Sequence, residues 1–347
     1  MSEVADTANP AALGEMARGY FRGKLLVAAV RLGIADALGD VERGLDEIAL
    51  ATKANPDALY RLMRALASIS VVAEVAPARF RLTPFGQPLR KDLPDSVWAS
   101  ILFWADLLAD SWTYLADCVQ AGNRDGAAMA RERDGTKSRW SVEPDAKAIF
   151  HHAFAESTAA SMAPFVSAYD FSTCQVVADL GGGGGGLLTA ILTANPQVQG
   201  ILVDRNEAVT AAANKFASLG LADRCQFQAA DLFESVPRGP DLYVLQSVLH
   251  GCDDNNARRI LNNCRAVTKP EGKLLIIEVV LPTTVASTDQ ALEKLLMADI
   301  NMLAVTGGRE RSEAEWKSLL LSAEYQVTRI VAVRGATASI IEAVPCE

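Results

Sequence analysis

The sequence predicts an α/β protein: a doubly wound, mostly parallel sheet preceded by a smaller, mainly helical domain. Three observations predict it. Beyond residue 169, short β-rich runs alternate with helical stretches, the pattern of a parallel sheet whose crossovers are helices. Before it, apolar residues recur at helical spacing instead. Between one β-rich run and the next helix stand six glycines, Gly181–Gly186, where such folds bring backbone against a ligand.

The chain has 347 residues, enough for two domains with cores of their own. The expected division is a helical domain at 1–120, a helical connection at 121–168 and a ligand-binding domain at 169–347. Half the residues are apolar and 22% are charged, as in a soluble globular enzyme. A net charge of −9 argues against a nucleic acid or an anionic membrane as partner, because phosphate is held by Lys and Arg. The start, M-S-E-V-A-D, lacks the basic-then-apolar order of a signal peptide. No apolar run approaches the ~18 residues of a membrane span. Six cysteines show no C-x-x-C spacing. A cytoplasmic protein with reduced thiols and no metal site is expected.

The first fifteen residues read as a frayed tail. Tyr20–Leu38 then has helical periodicity over a broad apolar stripe, too apolar for a solvated helix, so a second copy of the chain is the expected partner. Helices follow at Leu45–Thr52 and, after the N-P-D start signal, at Asp57–Ser68. V-V-A-E-V-A-P-A-R-F-R-L-T reads as a hairpin, and helices before a hairpin suggest a winged-helix unit. A DNA reader would need a basic exposed helix, whereas A-L-Y-R-L-M-R-A-L-A is largely apolar. Residues 97–114 carry three of the five tryptophans and read as helix or subunit packing. A polar stretch, Gly122–Ser141, reads as a surface connection, and helical pattern resumes at Asp145–Ala168. In the second half, runs ending near Leu180, Asp204, Asp231, Gln246 and Val280 are strands. Leu187–Ala194, Glu207–Leu219 and Asn255–Ala266 are helices, and the tail is a strand pair.

The glycine run satisfies G-x-G-x-x-G, so a dinucleotide site is the first rival, and with it an NAD-dependent oxidoreductase. Asp179 argues against that reading. It stands at the strand end, where a carboxylate would repel a pyrophosphate but suits a ligand carrying an ammonium and a sulfonium. Asp204 ends the next run and can accept ribose hydroxyls, a role that fits either ligand. Asp231 ends the third and can take an adenine amino group, with Leu232 and Phe233 against the ring. For any one aspartate a strand-end turn or helix cap is the plain alternative. Three acids ending three successive strands favour a cationic adenosyl ligand.

Here the sequence resembles the class I S-adenosylmethionine-dependent methyltransferases, specifically the small-molecule O-methyltransferases of plant caffeate and bacterial antibiotic pathways. D-L-G-G-G-G-G resembles their glycine motif, L-V-D-R their ribose motif and A-D-L-F-E-S-V-P their adenine motif; V-A-A-V-R-L-G-I-A-D-A-L and L-Y-R-L-M-R-A-L are similar to their dimerisation domain. The resemblance implies a seven-stranded sheet, a winged-helix dimerisation domain, a homodimer and no metal. S-adenosylmethionine would be held by Asp179, Gly181, Gly183, Asp204, Arg205, Asp231, Leu232, Phe233 and Gln246, leaving S-adenosylhomocysteine as product.

The chain has three histidines. His250 lies just past a strand's C-terminal end, where open α/β sheets keep their ligands. Glu278 lies inside the next strand, where an ionisable group needs a partner. Glu310, in G-G-R-E-R-S, opens a helix after a glycine turn, and an exposed first-turn acid is its plain alternative. The resemblance implies that these three act together, with His250 as general base for a small aromatic hydroxyl. A phenol of pKa about 10 is a weak nucleophile until imidazole, near about 6.5, accepts its proton. Phe103, Trp104, Phe154, Met162, Met297, Asn301 and Met302 are expected around the acceptor, with core packing as the alternative for each. The sequence departs from the family pattern at His250-Gly251-Cys252, where H-D-W is common, at Gln246, where plant members carry lysine, and at the pair His151-His152. Methylation of a ring nitrogen and a non-catalytic binding protein remain the alternatives.

Overall fold

The alternation in the C-terminal half folds into one sheet. The computed structural model describes residues 10–155, 158–285 and 290–346, with side chains except at 151, 154, 155 and 158–161. Five parallel strands carry the switch-point topology: β4 (Val176–Leu180), β5 (Gln199–Asp204), β6 (Cys225–Ala229), β7 (Leu242–Gln246) and β8 (Lys273–Leu281). Two antiparallel strands, β10 (Tyr325–Ala332) and β11 (Ala338–Pro345), close one edge. The order is β10-β11-β8-β7-β4-β5-β6, and a two-residue strand β9 (Arg311–Ser312) pairs with the end of β8 outside that path.

Side chains alternate across a strand, and the two hydrophobic clusters follow that alternation. Val177, Leu202, Val244, Leu275 and Ile277 belong to one, with helices 158–168, 186–194 and 206–218. Ala178, Val203, Leu245, Leu274 and Ile276 belong to the other, with helices 254–265 and 313–321. The alternation places Glu278 on the second face. The chain turns over between β4 and the next helix at the glycine run, so the ligand end of the sheet is the C-terminal edge of β4, β5 and β7.

The N-terminal part is helical with a small three-stranded sheet, β1 (Arg43–Gly44), β2 (Val72–Ala76) and β3 (Arg79–Leu82), in the order β1-β3-β2. Helix Pro56–Ser68 starts with Asn55, whose Oδ1 accepts the Ala58 N–H at 3.0 Å. The expected single helix over Tyr20–Leu38 is two, Pro10–Leu32 and Ile34–Leu38, because Gly33 adopts a left-handed conformation (φ 68°) between them. The helix therefore begins within what read as a frayed tail. Phe103–Leu108 is a π-helix, in which Lys24 donates to the Ala105 carbonyl at 2.9 Å. The polar stretch read as a connection contains a helix, Asp125–Asp134, because Gly126, Ala127 and Ala130 are buried although its other residues are polar. By compactness the described residues form two units, one holding 10–113 and 131–155 and the other 114–130, 158–285 and 290–346. Among the described residues no helix is long and apolar enough to cross a membrane.

A charged group is built into the sheet away from the ligand end. Glu342 on β11 is 6% exposed, and its carboxylate accepts from Tyr169 (2.7 Å), Thr328 (2.8 Å), Arg329 (3.2 Å) and Lys273 (3.3 Å). Burial pushes its pKa up, but these partners outweigh burial and hold it at about 2. A depressed carboxylate contributes stability that is present above its unfolded value of 4.5 and is lost as pH falls toward about 2. Glu342→Gln is therefore expected to destabilise the fold near neutral pH and progressively less below pH ~4. Urea unfolding of both proteins at several pH values measures this; a pH-independent difference would contradict it.

Candidate active site

The ligand end is shaped first by the glycine turn. After β4 the chain passes through Gly181, Gly183 and Gly185, all at positive φ (72°, 55° and 72°), into helix Gly186–Ala194. A Cβ on Gly185 would fall 2.5 Å from the Phe216 ring, so only glycine lets the helix start against helix 206–218. Asp204, at the end of β5, buttresses the turn: its carboxylate accepts the Gly183 N–H at 2.8 Å and the Arg205 N–H at 2.6 Å. Asp179 is 1% exposed on β4, and its Oδ2 has no hydrogen-bond partner among the described residues. Burial, and then the Asp204 charge, push its pKa up to about 7. A buried carboxylate oxygen without a donor beside a glycine-lined turn fits a cationic ligand and disfavours a phosphate.

Asp231 stands two residues past β6 and is exposed. Its Oδ1 accepts the Phe233 N–H at 2.9 Å, the turn role that is its plain alternative, and among the described residues its Oδ2 has no partner. Leu232 and Phe233 are half-buried, and the Arg259 guanidinium lies 5.6 Å from the Phe233 ring centre. Gln246 ends β7, where its amide lies 3.1 Å from the Met162 sulfur.

The histidine is held by two buried carboxylates on different elements. After β7, Ser247 takes a positive φ (53°) and the chain enters a short turn, Leu249–Gly251. Glu278 Oε1 on β8 accepts the backbone N–H of Val248 and Leu249, each at 2.9 Å, and of His250 at 3.3 Å. Its Oε2 lies 3.4 Å from His250 Nδ1, and Glu310 Oε1 lies 2.9 Å from the same nitrogen. Both carboxylates are buried, at 1% and 2% exposure, whereas the His250 side chain is 21% exposed. Glu310 is thus not an exposed first-turn acid: it precedes β9, and the helix begins at Glu313. Burial opposes the charged imidazole, but Glu278 and Glu310 outweigh burial and raise the His250 pKa above 6.5. Burial pushes Glu278 up to about 7. The two groups are close enough to titrate as a coupled pair. Among the described residues Nε2 of His250 has no partner, so this site has one imidazole nitrogen fixed by carboxylate and one available.

The O-methyltransferase domain family matches residues 112–326, and the O-methyltransferase dimerisation domain matches residues 15–92. The chain belongs to the O-methyltransferase family. It is 36% identical to the O-demethylpuromycin O-methyltransferase of Streptomyces alboniger, over 94% of this chain and 87% of that one. It is 34% identical to a phenazine O-methyltransferase of Lysobacter antibioticus, over 95% of each. Among solved structures, it is similar to an O-methyltransferase of neocarzinostatin biosynthesis in complex with S-adenosylmethionine and 2-hydroxy-5-methyl naphthoic acid. That likeness has a TM-score of 0.78 at 28% identity, covering 98% of this chain and 100% of that one. The enzyme is an S-adenosylmethionine-dependent methyltransferase, and the dinucleotide alternative is set aside.

The residues expected around the acceptor are distributed over both units of the methyltransferase. In the C-terminal unit Met162 and Asn301 are buried, Met302 is half-buried and Met297 is 49% exposed. In the N-terminal unit Phe103 is buried against Trp140 and Phe150, and Trp104 is 59% exposed. The side chains of Phe154 and His151 lie outside the described residues. His152 is exposed, its ring 5.5 Å from that of Trp98.

Sequence reasoning missed three parts of the methyltransferase's site. Asp299 accepts the Glu310 N–H at 2.9 Å, Arg311 is buried beside the histidine turn, and Gly308 lies flat against it. Only the glycine left a signal, the pair in G-G-R-E-R-S. A Cβ on Gly308 would stand 2.0 Å from the His250 carbonyl oxygen and 2.6 Å from the Gly251 carbonyl carbon. Gly308→Ala must push the Glu310 segment away from the histidine turn. It is expected to cost about 1–3 kcal/mol in urea unfolding, as overpacking does. It is also expected to lower turnover while calorimetry with S-adenosylhomocysteine stays near wild type; unaltered stability and turnover would refute the packing argument.

Proposed function

We propose that this methyltransferase methylates a phenolic hydroxyl of a planar natural-product aromatic, a hydroxyphenazine, polyketide or indole in type, with His250 as general base. The observation that carries the reading is the imidazole itself. Glu310 holds Nδ1 at 2.9 Å, Glu278 fixes the turn, and Nε2 is left without a partner among the described residues. A carboxylate on Nδ1 selects the tautomer with its proton there, so that Nε2 keeps its lone pair. Nε2 takes the acceptor's proton as the oxygen attacks. The O–CH3 bond forms, the S–CH3 bond breaks with its electrons going to sulfur, and the imidazolium is left between two carboxylates. S-adenosylmethionine supplies the electrophilic methyl on its sulfonium. Asp179, Gly181, Gly183, Asp204, Arg205, Asp231, Leu232, Phe233 and Gln246 are the residues that hold it in this reading. The similarity to enzymes named for O-demethylpuromycin and phenazine supports a planar aromatic acceptor. The match to a dimerisation domain supports a homodimer, with Leu13, Met16, Tyr20 and Phe21 on helix Pro10–Leu32 as its exposed apolar surface.

Cofactor binding and chemistry are separable. Asp204→Ala is expected to weaken S-adenosylhomocysteine binding by about 1.5–3 kcal/mol per lost bond, because a charge-assisted acceptor is removed. Unchanged affinity by calorimetry would remove the ribose assignment.

His250→Ala is expected to leave that affinity nearly intact and to lower turnover of 1-hydroxyphenazine or a hydroxynaphthoate by roughly 10²–10⁴. A base must be neutral to act, so wild-type kcat/KM should rise with pH through a value above 6.5, as the raised His250 pKa requires. The mutant should lose that limb and recover partly at high pH, where the phenol ionises. A mutant of near-normal rate, or turnover of aromatic amines in preference to phenols, would overturn the hydroxyl reading.

A further inference from the structure

Arg311 is the largest charged side chain that is wholly buried, at 1% exposure. A buried cation is costly unless fully partnered. Nε and Nη2 donate to Asp254 Oδ1 at 3.0 and 2.8 Å. Nη1 donates to the Leu249 carbonyl at 3.1 Å and to the Arg309 carbonyl at 3.4 Å, and Nη2 donates to the Cys252 carbonyl at 3.0 Å. The guanidinium lies 5.2 Å from the Trp316 ring centre, and Trp316 is itself fully buried, its indole N–H donating to the Val279 carbonyl at 3.2 Å.

The carbonyls are informative by position. Leu249 and Cys252 bracket His250, while Arg309 is the neighbour of Glu310. The backbone on either side of the fork is joined once more, Arg309 N–H to the His250 carbonyl at 2.9 Å. Arg311 is also in β9, paired with Val280, two residues beyond Glu278. One side chain is thus anchored to the turn carrying the imidazole, to the segment carrying one carboxylate and to the strand carrying the other.

We propose that Arg311 is a positioning residue for methyl transfer: its buried guanidinium locks the Leu249–Cys252 turn to the Glu310 segment and so fixes the imidazole between both carboxylates. The proposal rests on His250 being the base. Lysine cannot replace it, because a single ammonium cannot reach two turn carbonyls, the Arg309 carbonyl and a carboxylate in one plane. The same charge acts on His250. Glu278 and Glu310 face the ring directly, Asp253, Asp254, Asp299 and the Cys252 thiol surround the turn, and Arg309 is exposed and paired with Glu315. Against these acids the Arg311 charge lowers the imidazole's basicity.

The test uses the full-length enzyme with S-adenosylhomocysteine bound. The three histidines are labelled with carbon-13, and His250 is assigned by its loss in His250→Asn. Arg311→Lys keeps the charge and loses the fork, so His250 should titrate within a few tenths of wild type while kcat on 1-hydroxyphenazine falls about 10- to 100-fold, the effect of a base displaced by about 1 Å. Arg311→Met loses both, and its His250 pKa should rise by roughly half a unit or more, the sign expected when a like charge is removed. S-adenosylhomocysteine affinity should stay within about twofold in each. Should Arg311→Met fail to fold, Asp254→Asn releases the same guanidinium from its carboxylate, and both kcat and the His250 pKa should fall. Wild-type turnover in Arg311→Lys, an unmoved titration in Arg311→Met, or affinity lost in step with activity would overturn the proposal. If the wild-type enzyme turns over no phenol, the acceptor reading fails, and the titrations still decide the position of Arg311.

Discussion

One oxygen of one buried carboxylate sets the geometry on which the site depends. Glu278 Oε1 gathers three successive backbone N–H groups, those of Val248, Leu249 and His250, in the turn that leaves β7. These donors would otherwise be orphans at the end of a strand. The sheet makes the arrangement possible. β7 and β8 are parallel neighbours, so the C-terminal end of one lies beside that of the other, and alternation along β8 sends the Glu278 side chain toward the turn. Ser247 pays in backbone strain for the sharp change of direction, at φ 53°. The other oxygen of Glu278 is then within 3.4 Å of the imidazole without any further adjustment.

Two acids in this chain are pushed to about the same pKa, near 7, for the same first reason, burial, yet they stand in opposite situations. Glu278 has its donors and its cation supplied by the chain itself. Asp179 has an oxygen with no donor among the described residues, and the charge that acts on it is that of another acid, Asp204. A carboxyl left this way is stable only protonated or with a cation from outside. The glycine turn keeps side chains from filling that space, and Asp204, by holding the Gly183 and Arg205 amides, keeps the turn open. The sheet thus presents one acid whose donors the chain supplies and one, Asp179, that faces only another acid across a glycine-lined turn.

Much of this was legible in the sequence because it is local. A glycine run between Val-Val and Leu-Leu cannot be a linker, and acids ending successive β-rich runs lie at one edge of a parallel sheet whatever the details. Glu278 was legible because a charge inside an apolar strand demands a partner. Arg311 was not, since an arginine beside another arginine and a glutamate reads as surface. Its burial is created by carbonyls of residues 249, 252 and 309, and nothing in the sequence announces that they converge. Helix Asp125–Asp134 escaped for a related reason: it packs through Gly126, Ala127 and Ala130, and small residues give almost no hydrophobic period. The π-helix at Phe103–Leu108 has the composition of an ordinary helix, and what distinguishes it is tertiary, the Lys24 ammonium on the Ala105 carbonyl and Asp106 held by Arg31 and Arg139.

The cost of the histidine cluster bears on what it is for. Burying two carboxylates, an imidazole and a guanidinium within one turn's reach exacts a desolvation penalty that apolar packing of equal volume would avoid. Methyl transfer from a sulfonium needs little help to cleave the carbon–sulfur bond; what differs between acceptors is the proton. A neutral amine attacks with its lone pair and can lose its proton afterwards to water, so alignment alone serves it. A phenol near pKa 10 must give up its proton as it attacks, and an imidazole whose charged form is held by two carboxylates is the group that can receive it. On the proposed reading, the expensive part of the fold is the part a hydroxyl acceptor would need and an amine would not.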